Sequence, residues 1–163
     1  MESRLKVLGH PLHPMLVMFP VALLATAVLF DVVDIVGGPD FLAEVAYWNL
    51  TVGLVGGLLA AAAGTVDLLA IPTGTRAKRV ALTHAAANVA LILLFAAVWA
   101  VRLNADSRAA GGALVAIEIV ALAILGVSAW LGGELVDRLG VGVDRDADLD
   151  APSSLRPSAN PSE

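Results

Sequence analysis

Apolar residues run through this chain in four long blocks rather than alternating with polar ones. The blocks are Met15–Phe30, Val45–Val66, Val80–Val101 and Ala109–Gly133, with short polar stretches between them. The second and third are 22 residues each without an Asp, Glu, Lys or Arg. As helices they measure about 33 Å, enough to cross a hydrocarbon layer of about 30 Å. The first block can continue as helix through Asp31 and Asp34, and the fourth is interrupted only by Glu118. The pattern predicts an all-α, four-helix transmembrane bundle with short loops, its helices over roughly 14–36, 43–71, 78–103 and 111–137. Residues 1–143 form that domain. Residues 144–163, rich in Asp, Pro and Ser, hold too few apolar side chains to order themselves and read as a disordered acidic tail.

Composition agrees. The 163 residues are 58% hydrophobic and 15% charged, with a mean hydropathy of +0.84, where a soluble domain is about a quarter charged. Arg4 and Lys6 before an apolar block, with Ala25-Thr26-Ala27 inside it, resemble a secretory leader. Val28-Leu29-Phe30 carry the run past that cleavage-like site, so the block reads as a retained span. There is no cysteine, which excludes disulfides, thiolate metal sites, Cys-ligated iron–sulfur clusters and covalently attached haem. Arg4, Lys6, Arg76, Lys78, Arg79, Arg138, Arg145 and Arg156 fall on one side of the membrane, against Arg102 and Arg108 on the other. The positive-inside rule then places both termini in the cytoplasm, for a multi-pass protein of the inner (plasma) membrane.

The polar residues within or beside the spans carry the candidate chemistry. Gly9-His10-Pro11-Leu12-His13-Pro14 leads into the first block. Each histidine precedes a proline, which biases the hexapeptide to extended geometry with Pro14 opening the helix. Pro20 is expected to kink the first helix. In the second, Asn49, Gly53, Gly56, Ala60, Gly64 and Asp67 recur every three or four residues as one small-residue face, with Gly53 and Gly57 forming a GxxxG pair for close helix packing. His84 and Asn88 share a face of the third helix, and Glu134 follows Gly132-Gly133 at the end of the fourth. The topology predicts that His10, His13, Asp67, His84, Asn88 and Glu134 gather at the cytoplasmic end. At the other end Asp31 and Asp34 read as a solvated helix terminus. Arg102 reads as an interface anchor like Trp48, Trp99 and Trp130, and Glu118 as a snorkelling or inter-subunit group. Glu118 and Glu134 are roughly 160° apart on the helix and cannot share a face.

Three chemistries suit the gathered end. Imidazoles from separate segments are ligands for haem b or a transition metal, giving His10, His13 and His84 as cofactor or metal ligands, with Asp67, Asn88 and Glu134 supporting them. His10 and His13 alone chelate poorly: three residues of polyproline geometry span about 9 Å, whereas two nitrogens on one metal lie within about 4 Å. His84 with Asp67 could instead handle protons or a quinone. In the third reading the cluster is a hydrogen-bonded plug for the broken backbone around Pro11, Pro14 and Gly132-Gly133, in a structural or anchoring subunit that docks a partner. No nucleophile–base pair, phosphate loop, nucleotide fingerprint or basic patch occurs, so no catalytic residue is assigned and nucleic acid is not an expected partner. Small-residue faces also suit a homo-oligomer.

Taken in order, Gly9 to Pro14, Met18-Phe19-Pro20, Asp31, Gly64-Thr65-Val66-Asp67, His84 with Asn88, Gly132-Gly133-Glu134-Leu135-Val136 and Gly140-Val141-Gly142-Val143 resemble the bacterial membrane family known as DUF2231, a domain of unknown function. The resemblance covers roughly residues 7–143. It implies four helices and, because some members continue into a Rieske iron–sulfur domain, a redox partner protein. It assigns no activity. This chain departs from the family pattern after Gly-Gly-Glu-Leu-Val, where Asp137 and Leu139 stand in place of an aromatic residue and a histidine. Any site needing a fourth imidazole is thereby put in question.

Overall fold

The computed structural model describes residues 1–105 and 107–155. The rest of the expected tail, Arg156 included, lies outside the described residues. A two-stranded hairpin, β1 (Lys6–Val7) and β2 (His10–Pro11), is followed by helices α1 (Leu12–Ile35), α2 (Phe41–Ala70), α3 (Arg76–Leu103) and α4 (Gly112–Gly133). One π-helical turn, Glu134–Arg138, extends α4. All four helices are long and apolar enough to cross a membrane. Their outer surfaces carry exposed Phe19, Leu59, Leu93 and Val127, residues that water would penalise and hydrocarbon accepts.

The hexapeptide differs from the extended approach expected of it. Val7 pairs with His10 and Lys6 with Pro11, around a two-residue turn in which Leu8 and Gly9 both have positive φ, 51° and 84°. That is the twist a tight hairpin requires. His10 therefore stands on an exposed hairpin, while His13 is already in the first turn of α1.

Small residues set the close packing of α1 on α2. A methyl at Gly53 would meet Leu24 Cδ2 at 2.9 Å, and one at Gly56 would meet Pro20 Cδ at 3.3 Å. The missing side chains let α2 lie against the Pro20 turn of α1, which runs on as one helix. Between the helices sits an apolar core that includes Leu24, Leu50, Leu91, Phe95, Val98 and Leu125. Asn49 Nδ2 donates to Thr26 Oγ1 at 3.1 Å, and Trp99 Nε1 to Thr51 Oγ1 at 3.0 Å. Trp99 is thus a cross-bundle tie rather than an interface anchor; Trp48 and Trp130 are exposed.

The end away from the hairpin corrects three further expectations. Asp31, Arg102 and Glu118 are all fully buried. Arg102 donates from Nη1 to Asp31 Oδ2 (2.6 Å) and Glu118 Oε1 (3.3 Å), from Nη2 to Asp31 Oδ1 (2.9 Å) and the Ala43 carbonyl (3.0 Å), and from Nε to the Arg108 carbonyl (2.8 Å). Asp31 is no solvated terminus, Arg102 no headgroup anchor and Glu118 no snorkelling group. Each looks solitary on its own helix. In three dimensions all three fall at one level of the bundle, where their mutual charge makes burial tolerable.

At the hairpin end the N-terminus is strapped down. The Met1 amino group donates to the Gly140 carbonyl (2.6 Å) and the Gly142 amide to the Met1 carbonyl (2.7 Å). Ser3 Oγ and the Arg4 amide donate to the Asp67 carboxylate (2.7 and 2.6 Å). Lys6 bridges Glu2 (2.6 Å) and Asp144 (3.5 Å).

Arg102→Met is expected to lower stability by about 3–5 kcal/mol, because it leaves the buried Asp31 carboxylate without a counter-charge; the thermal midpoint in detergent measures this. Arg102→Lys, which keeps the charge but not the fork, should fall between. The strap carries its own pH signature. The bond from Lys6 holds the Glu2 carboxyl below its ordinary value, and the Asp146 amide, with Lys6 adding to it, does the same for Asp144. Groups depressed in the folded state support it above the carboxylate range and cease to as pH falls through that range. Amide resonances of residues 2–6 and 144–146 should therefore titrate together on acidification.

Candidate functional site

The hairpin end of the bundle encloses a cavity of about 460 Å³, lined by all four helices and mostly apolar. Val17, Pro20, Leu24, Ile92 and Leu125 form its walls, and His13, His84, Asn88 and Ser128 its principal polar groups, with Asp67 also on the lining.

The two imidazoles are held in matching ways. His13, on α1, donates through Nδ1 to the Ala60 carbonyl of α2 at 2.8 Å. Its ring lies over Gly64, where a methyl would come within 2.9 Å of Cε1 and Nδ1. His84, on α3, donates through Nδ1 to the Ser128 carbonyl of α4 at 2.9 Å, and its ring lies over Gly132, where a methyl would stand 3.5 Å from Cε1. In each case the glycine is four residues beyond the accepting carbonyl, one helical turn on. Without a side chain there, a ring can reach a carbonyl already used by its own helix. The two rings meet at a centroid distance of 6.4 Å and an angle of 86°.

With Nδ1 committed as a donor, Nε2 of each ring is the free lone pair. His13 Nε2 has no protein partner among the described residues. Asn88 Nδ2 stands 3.1 Å from His84 Nε2, but its two protons are also placed for Ser128 Oγ (2.8 Å) and the His84 carbonyl (2.9 Å). The bond to Nε2 is the longest of the three, so an incoming group could displace it and leave Asn88 satisfied.

Of the six residues expected here, His13, His84 and Asn88 come together around the cavity. Asp67 borders it, with both carboxylate oxygens taken by the N-terminal strap. Glu134 turns away to an ion pair with Arg76. His10 stays on the hairpin surface, its Nε2 3.4 Å from Ser154 Oγ. Among the described residues no three His, Asp or Glu side chains converge as a metal shell. Ser128 was not singled out from the sequence. A lone serine in an apolar helix carries no signal there, though it sits one turn before Gly132 and so shares the face that His84 approaches.

No curated protein and no solved structure matches the chain. A family model described as a predicted membrane protein, DUF2231, matches residues 9–145, from the hairpin glycine through the strap region, and the chain belongs to that family.

Proposed function

We propose that the chain is a small redox-associated membrane subunit that holds one haem b, or failing that a transition-metal ion, between His13 and His84, with the hairpin end and both termini on the cytoplasmic side of the inner membrane. The observation that carries this reading is the pair of imidazoles, one from each helical hairpin, with ring centres 6.4 Å apart and Nδ1 of each fixed on a backbone carbonyl. Fixing Nδ1 on a carbonyl is how proteins orient an imidazole that ligates through Nε2. Two imidazoles without a third ligand make a poor shell for a bare ion, and His13 and His84 would instead hold haem iron. The apolar walls suit a macrocycle. When bound, haem would supply one-electron chemistry; the protein's part is to orient two imidazoles and exclude water. His10, exposed on the hairpin, has no part in this pair.

A second reading is supported by the Asn88–Ser128–His84 network, which ties α3 to α4. In that reading the cluster stabilises the bundle, and the subunit serves as an anchor.

The test is the visible spectrum and elemental analysis of the detergent-purified chain, expressed with iron and haem precursor in excess. One haem per chain is expected, lost on His13→Ala and on His84→Ala with helicity retained. One metal equivalent without a haem spectrum would select the ion. Neither, with both variants merely less stable, would leave the anchor reading. Gly64→Ala keeps both histidines but drives a methyl into the His13 ring, and should lower haem occupancy at least tenfold in the same assay.

A further inference from the structure

The Asp31–Arg102–Glu118 cluster has a defect. The five N–H protons of Arg102 make five bonds, two of them to Asp31 but only one, at 3.3 Å, to Glu118. Glu118 is fully buried, and its Oε2 has no donor among the described residues. With both carboxyls ionised the cluster would carry one uncompensated negative charge and a bare carboxylate oxygen where no water reaches, each strongly unfavourable.

We propose that this cluster is a proton-binding site that holds one proton per chain on Glu118. Binding forms an O–H bond from the carboxylate and a solvent proton, with no electron transferred. It makes the cluster neutral and turns Oε2 into a donor or an unburdened acid oxygen. The charged surroundings are few. On α1, Asp34 lies one turn beyond Asp31. From α2 comes the Ala43 carbonyl, with Glu44 turned to Trp48 at 3.4 Å. The Arg108 guanidinium lies over the Tyr47 ring, 4.3 Å from its centre. α4 offers no ionisable group besides Glu118. Among the described residues no cation other than Arg102 pairs with either carboxyl, so a proton is the ligand that fits. A sodium ion would leave both carboxyls ionised and need several more oxygens than stand here. The site lies at the opposite end of the bundle from the histidines and stands or falls independently of them.

Infrared spectroscopy of the full chain, reconstituted in lipid at neutral pH, tests this. A carboxylic-acid carbonyl band is expected in the wild type, shifting in heavy water, absent from Glu118→Gln, shifted but present in Asp31→Asn, and unchanged in Asp34→Asn. Because glutamine copies the shape and neutrality of the protonated acid, Glu118→Gln should fold with an unchanged thermal midpoint at neutral pH. A wild-type spectrum without an acid band would overturn the proposal, as would a band that survives Glu118→Gln or is abolished by sodium. So would a Glu118→Gln chain that fails to fold.

Discussion

Arg102 is the contact on which the bundle depends. Hydrocarbon offers no hydrogen bonds, so every polar group in the spans must be answered from within the protein. A guanidinium needs five acceptors, and the five that Arg102 finds come from Asp31 on α1, Ala43 on α2, Glu118 on α4 and the α3–α4 loop. These acceptors are available together only in one arrangement of the four helices. Apolar side chains in lipid give little preference for one packing over another, because tails and leucines are alike. The knot therefore supplies specificity that the hydrophobic effect cannot supply here. The fork geometry of arginine matters: a lysine could not reach three helices and a loop at once.

The bundle is built as two helical hairpins that repeat one plan. His13 and Asp31 are 18 residues apart on α1, and His84 and Arg102 are 18 apart on α3. Eighteen residues are five turns, about 27 Å, so each helix shows a histidine at one end and a charge at the other on the same face. The partner helix of each hairpin offers the histidine a carbonyl and, one turn on, a glycine: Ala60 with Gly64, Ser128 with Gly132. At one end the two charges are of opposite sign and close on each other. At the other the two groups are alike, and a cavity opens between them.

The spans were legible because a stretch of more than twenty residues without charge has one stable setting, and the small face of α2 because period-four glycines have one use in lipid. Gly53, Gly56 and Gly64 each receive a residue of α1. The chelate distance argument left two outcomes open, a turn between His10 and His13 or only one of them beside His84, and the sequence did not say which histidine that would be. What could not be read was the partner of each lone charge. Asp31, Arg102 and Glu118 sit on three helices, and rules of periodicity describe one helix at a time. The 18-residue echo between α1 and α3 was the available clue, since it puts Asp31 and Arg102 at the same depth. The hairpin was hidden by Leu8, a residue that rarely adopts positive φ; glycine alone at position 9 did not announce a two-residue turn.

These features divide labour along the membrane normal. A cavity weakens a bundle, because its lining loses contacts that a packed core would make. Here the loss falls at the end where Gly57, Gly64, Gly132 and Gly133 thin the helices, and where the chain adds the N-terminal strap: Met1 on Gly140 and Gly142, Ser3 and Arg4 on Asp67. The opposite end carries the buried ion cluster and much of the aliphatic and aromatic core. A knot that fixes the helices at one end lets the other keep space between them without letting them slide. Filling the cavity with larger side chains would tighten the bundle but bury the imidazole Nε2 atoms. Two histidines face this apolar cavity, each aligned by a backbone carbonyl of the neighbouring helix.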